Sequence, residues 1–269
     1  MIATLAMAVS IVAAENFYGD VARQIGGPNV KVTSILRNPD ADPHLFEATP
    51  SVARAIAGAQ IVVYNGVDYD PWVDKLLGTT RAPKRATIAV AALAGKKPGD
   101  NPHVWYDPGA MLAYAKVLSA DLVRADPAGR SGYESRLAQF EASLAPLQHR
   151  IASLRARLSG TPVLVTEPVA DYLLAALGMR ILDPRFAIAV MNNTEPGAAE
   201  VAAFESDLKS RRARMLLYNS QASDPVAQRM VQLARAAHVP VVGATETEPQ
   251  GKSYQAWMQS ELDAISSAL

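Results

Sequence analysis

The 269-residue chain contains no cysteine, which excludes a disulfide framework and thiolate metal ligands together; any metal must be held by imidazole and carboxylate groups. Neither sign of charge is in excess, with 26 lysines and arginines against 26 aspartates and glutamates, so no net field recruits nucleic acid or an anionic membrane. Beyond the N-terminal segment no uncharged apolar run is long enough to cross a bilayer. There is no H-E-x-x-H pairing, no G-x-S-x-G elbow and no phosphate-cradling glycine loop, so the usual marks of zinc-protease, serine-hydrolase and P-loop chemistry are missing. Histidine is scarce as well, at four residues.

Two of those four stand directly after proline in polar turns, in Asp40-Ala41-Asp42-Pro43-His44 and Asn101-Pro102-His103-Val104-Trp105-Tyr106-Asp107-Pro108. Proline fixes its own φ and biases the preceding residue away from helix, so each imidazole sits on a stiff loop where apolar periodicity stops. One such histidine is most simply a surface residue. A matched pair makes a metal site the first hypothesis, because neutral imidazole is the commonest protein metal ligand.

Between and beyond these loops the chain alternates short apolar runs with helical patterns. Residues 9–14, 30–36, 61–65 and 86–90 read as strands, and a helix carrying Phe17, Val21 and Ile25 stops at Gly26-Gly27. Residues 133–158 read as one long helix with a kink at Pro146 and a solvated charged face. The rhythm then resumes with strands at 162–166, 215–218 and 239–242, helices at 172–177 and 226–237, and a last helix from Tyr254. Strand, helix, strand in this order means parallel pairing with right-handed crossovers. The expected fold is α/β, two lobes that each contain a mainly parallel sheet with flanking helices, joined by one long rigid helix. The expected lobes are residues 9–127 and 160–269, with the joining helix at 128–159. Residues 1–8 are apolar and end in Ala6-Met7-Ala8; they read either as the remnant of a secretory signal or as an extension of the first strand.

In open parallel sheets ligands collect where loops leave the carboxyl ends of strands. His44 lies on such a loop, and the second half offers Glu167 and Glu246 at equivalent places. A glutamate there is often only a charge at the positive end of a helix, but Pro168 stiffens the Glu167 loop as proline stiffens both histidine loops.

These residues carry a resemblance. The chain is similar to the cluster A-I metal-binding solute receptors of ABC importers, a family that includes manganese and zinc receptors of the bacterial cell surface. The likeness runs from Ala14-Glu15-Asn16-Phe17-Tyr18-Gly19-Asp20 to the terminal helix. Its most specific parts are Asp42-Pro43-His44, Ala59-Gln60-Ile61-Val62-Val63-Tyr64-Asn65-Gly66, the His103 segment, and Val239-Pro240-Val241-Val242 with Thr245-Glu246-Thr247. The resemblance implies two lobes bridged by a rigid helix and one metal ion in the cleft, with one ligand from each of four loops. It maps the first two ligands onto His44 and His103. Zinc receptors of this family usually place histidine third and often carry a His-rich loop before the second ligand; here the third position is Glu167 and that loop has no histidine. Manganese receptors are closer, but they have aspartate fourth, where this chain has Glu246, with Glu248 as a substitute. A set of two imidazoles and two carboxylates leans toward Mn(II) narrowly over Zn(II). The implied partners are the ion and an importer's membrane permease, not nucleic acid. The implied state is an exported monomer, periplasmic or at the cell surface.

Other residues carry less. Glu195 reads as a charge at a helix start, His149 and His238 as surface residues, and Tyr69, Trp72, Trp105 and Trp257 as core or cleft wall. Asp68 and Asp70 are candidates to orient a metal-bound histidine. A receptor needs four protein ligands and no turnover. A metal-dependent hydrolase, the alternative, would keep three ligands and an open position for water.

Overall fold

The computed structural model describes residues 8–38, 46–80, 82–222 and 224–269. Residues 1–7 of the signal-like segment and the Asp42-Pro43-His44 turn lie outside the described residues. The chain divides into two compact units, residues 1–145 and 146–269.

In the first unit the order is β1 (Val9–Glu15), α1 (Asn16–Gly26), β2 (Val30–Leu36), α2 (Pro50–Gly58), β3 (Ile61–Tyr64), α3 (Pro71–Thr79), β4 (Ala86–Ala89), α4 (Val90–Leu93) and α5 (Pro108–Ala125). The sheet runs β2-β1-β3-β4 with every pairing parallel. Its order reverses between β1 and β3, so the carboxyl ends of these two strands, at Glu15 and Tyr64, flank the crevice where such sheets take ligands. β1 is buried along nearly its whole length, as a central strand covered on both faces must be. The expected stop at Gly26-Gly27 is present: Gly27 takes φ +57, a conformation without steric cost only for glycine, and its N–H returns to the Arg23 carbonyl.

Prolines open the helices that follow the loops. Pro50, Pro71 and Pro108 each stand in a first turn, where the missing N–H would have had no partner anyway. Asp107 caps α5 by accepting the Gly109 N–H at 2.8 Å. This fixes the exit of the His103 loop.

The long helix α6 (Arg130–Leu158) continues through Pro146, and the division between the units falls at that proline. Its buried side chains, Tyr133, Phe140, Leu144, Leu147, Leu154 and Leu158, recur at sevens, fours and threes, one stripe of a helix. Early in α6, Arg136 donates to the carbonyls of Ile25 and Gly26 at 2.7 and 2.9 Å, taking up acceptors at the end of α1. Late in α6, Arg155 and Arg157 donate to Ala176 and Ser266 of the second unit.

The second unit runs β5 (Pro162–Val165), α7 (Asp171–Ala176), β6 (Arg180–Ile181), α8 (Pro184–Met191), α9 (Ala198–Lys209), β7 (Leu216–Asn219), α10 (Pro225–Ala236), β8 (Val241–Ala244) and α11 (Tyr254–Ala268). Its sheet, β6-β5-β7-β8, is again wholly parallel and reverses between β5 and β7. Leu164 and Leu216 from the two central strands join Phe186, Phe204, Leu208 and Met230 in one apolar cluster. The last strand begins at Val241, beyond Pro240, which has no N–H for a ladder. The two-residue β6 and helix α8 were not expected from the sequence; β6 is too short to show a period.

Candidate metal centre

Within the first unit, His103 is fully buried and ends the loop that enters the turn Val104–Tyr106. Its Nδ1 lies 2.7 Å from Asn101 Oδ1, and its own backbone N–H donates to the same oxygen at 3.0 Å. Only an oxygen can accept that N–H, so the amide orientation is determined and Nδ1 carries the hydrogen. Nε2 is left with the lone pair, the tautomer a metal ligand needs. The ring stands edge-on to Trp105 and Tyr69, with centroids 5.1 and 6.0 Å away.

The loop is hung from the end of β3. Asn65 donates its side-chain N–H to the Pro102 carbonyl at 2.9 Å and accepts the Tyr18 hydroxyl at 2.6 Å. Asp70 holds the backbone around Asn65, accepting the N–H groups of Asn65 and Gly66 at 2.6 and 2.7 Å. Gly66, Val67 and Asp68 follow with φ of +77°, +57° and +62°, a turn two of these residues rarely adopt. Glu15, at the end of β1, is buried near Asp70, close enough for the two carboxyl groups to interact electrostatically. Burial first, then the Asp70 charge, push the Glu15 carboxyl well above the ordinary range. Burial likewise pushes Asp70 up to about 6, against the backbone N–H groups that favour its ionised form.

Asp68 is exposed and Asp70 accepts backbone N–H groups; Asn101 holds the His103 ring. The sequence alone assigns no role to Asn101, Asn65 or Glu15. The signal for the first was present, since asparagine readily folds back on the backbone N–H two residues on.

In the second unit, Glu167 lies just past β5 and Glu246 just past β8, 3% and 0% exposed. Asn219, the last residue of β7, stands between them, and its Nδ2 donates to Glu167 Oε2 at 2.7 Å and to Glu246 Oε1 at 2.5 Å. The Asn219 Oδ1 accepts the Gln221 N–H at 2.9 Å. Gln221 in turn accepts the backbone N–H groups of Glu246 and Thr247 at 2.5 and 3.1 Å. The sheet reversal thus places a bridged carboxylate pair at the carboxyl ends of β5, β7 and β8. Glu248 is buried as well, outside the Asn219 bridge. Glu195, His149 and His238 are exposed, and Trp105 and Trp257 are core residues.

Two parallel α/β units thus share one long helix, each with polar side chains gathered where its strands end. The chain belongs to the family described as zinc-uptake complex component A, periplasmic (ZnuA), whose model matches residues 11–268. Among curated relatives it is 22% identical over 292 residues to the manganese ABC transporter substrate-binding lipoprotein PsaA of Streptococcus anginosus, covering 99% of this chain and 91% of the relative. It is 24% identical over 283 residues to the iron ABC transporter substrate-binding lipoprotein MtsA of Streptococcus pyogenes serotype M1, covering 97% and 89%. In fold it is similar to the periplasmic zinc-binding protein TroA from Treponema pallidum, with a TM-score of 0.82 at 16% identity, covering 97% of this chain and 99% of that one. A crystal structure of ZnuA gives 0.77 at 21% identity, covering 97% and 98%. The protein is an extracytoplasmic metal-binding component of an ABC importer, and not an enzyme. No helix among the described residues is long and apolar enough to cross a membrane.

Proposed function

We propose that the receptor captures one divalent transition metal ion as cargo, Mn(II) narrowly ahead of Zn(II), on His44, His103, Glu167 and Glu246, and delivers it as a monomer to the permease of its importer. The observation that carries this reading is the pair of buried glutamates bridged by Asn219. Two carboxylates kept together out of water are costly unless a cation neutralises them. His103 supports it with an Nε2 lone pair fixed by Asn101.

Two nitrogens and two carboxylate oxygens make a harder set than three imidazoles, which favours Mn(II) or Fe(II) by ligand type. The Irving–Williams order gives Zn(II) the greater intrinsic affinity, so the lead is narrow. The test is elemental analysis of protein purified without added metal, followed by competition between Mn(II) and Zn(II) in one buffer. One ion per chain is expected, with strong loss of affinity in His44→Ala and His103→Ala while the fold is kept. Full affinity in both variants would overturn the ligand set.

A further inference from the structure

Beyond the four ligands, one side chain has the geometry to decide how many oxygens the carboxylate pair presents. A carboxylate that chelates an ion offers both oxygens to it. In the second unit one oxygen of each glutamate, Glu167 Oε2 and Glu246 Oε1, is turned to a hydrogen of the same amide nitrogen, at 2.7 and 2.5 Å. That amide cannot reverse, because its oxygen is engaged by the Gln221 N–H at 2.9 Å and turning would set an oxygen against two carboxylates. It cannot withdraw either: Asn219 is the last residue of β7, 3% exposed, in register with Ala244 of β8.

We propose that Asn219 is the positioning residue that limits Glu167 and Glu246 to one coordinating oxygen each, and so narrows the preference of the site for Mn(II). The inference rests on the metal reading above. Mn(II) gains from a fifth and sixth oxygen, whereas Zn(II) is content with four ligands in a tetrahedron. An amide that keeps two oxygens from the ion therefore disfavours Mn(II) more than Zn(II).

The test uses Co(II), whose visible d–d bands are strong in a four-coordinate site and weak in a six-coordinate one, together with the ratio of Mn(II) to Zn(II) dissociation constants. Three full-length proteins are compared: wild type, Asn219→Ala, and Asn219→Leu, which fills the space without a donor and keeps water out. The wild type should give the strong spectrum. The variants should lose intensity and shift the ratio about tenfold toward Mn(II), the scale on which partners of metal ligands act. A weak, six-coordinate spectrum in the wild type overturns the proposal whatever the variants do, and remains decisive should neither variant fold. Folded variants with unchanged spectrum and ratio overturn it too. A wild type that binds none of the three ions instead overturns the metal reading itself, so the two failures are told apart.

Discussion

Replacing Glu15 by glutamine should make the first unit less sensitive to pH. In the wild type, burial and the neighbouring Asp70 hold the Glu15 carboxyl well above its ordinary 4.5. The folded state therefore keeps a proton that the unfolded state releases once the pH passes 4.5. Wherever the native state binds the extra proton, stability falls as pH rises, by about 1.4 kcal/mol per pH unit for one group. The contribution is fully present below pH 4.5 and is lost on the way up through the raised folded value. Glutamine has nearly the same shape and does not titrate. Between pH 5 and pH 6 the wild type should thus lose more stability than the variant, with about 1.4 kcal/mol the most that one group can contribute per pH unit, or about 4 °C in melting temperature for a unit of this size. Asp70, pushed up to about 6, contributes a further loss of the same sign in both proteins. The assay is urea or thermal unfolding of metal-free protein at the two pH values, followed by the fluorescence of Trp72 and Trp105 in the first unit. Parallel pH profiles for wild type and Glu15→Gln would refute the buried proton.

Three further outcomes concern the ligands. Asn101→Ala should weaken metal affinity about 10- to 100-fold through the orientation and tautomer of His103, with an unfolding curve close to wild type; titration with Zn(II) checks it, and unchanged affinity would mean another group holds the ring. Glu167→His replaces a hard oxygen with nitrogen and removes a negative charge, so the ratio of dissociation constants should move toward Zn(II) and Mn(II) affinity should fall; an unchanged ratio would leave Glu167 as a helix-end charge. Protons compete with the ion for imidazole nitrogen, so affinity should drop as the pH falls from 7 to about 5, and a flat curve by competition titration would exclude histidine ligands.

The sequence by itself determined the parts of this protein that depend on neighbours in the chain. The strand-helix rhythm, the stop at Gly26-Gly27, the prolines in first turns and the long helix after residue 129 follow from dihedral limits and apolar period. Both sheets are parallel as that rhythm requires. The candidate ligands could also be named in advance, since Pro-His pairs and glutamates just past strands are local patterns. The partners of those residues could not. Glu15 and Asp70 meet because β1 and β3 are adjacent in a sheet whose order is not the order of the chain. Asn219 reaches Glu167 and Glu246, 52 and 27 residues away, because β7 lies between β5 and β8. An asparagine after an apolar strand looks the same whether it faces water or holds two buried carboxylates. That difference lies in strand order and burial, which only the folded chain decides.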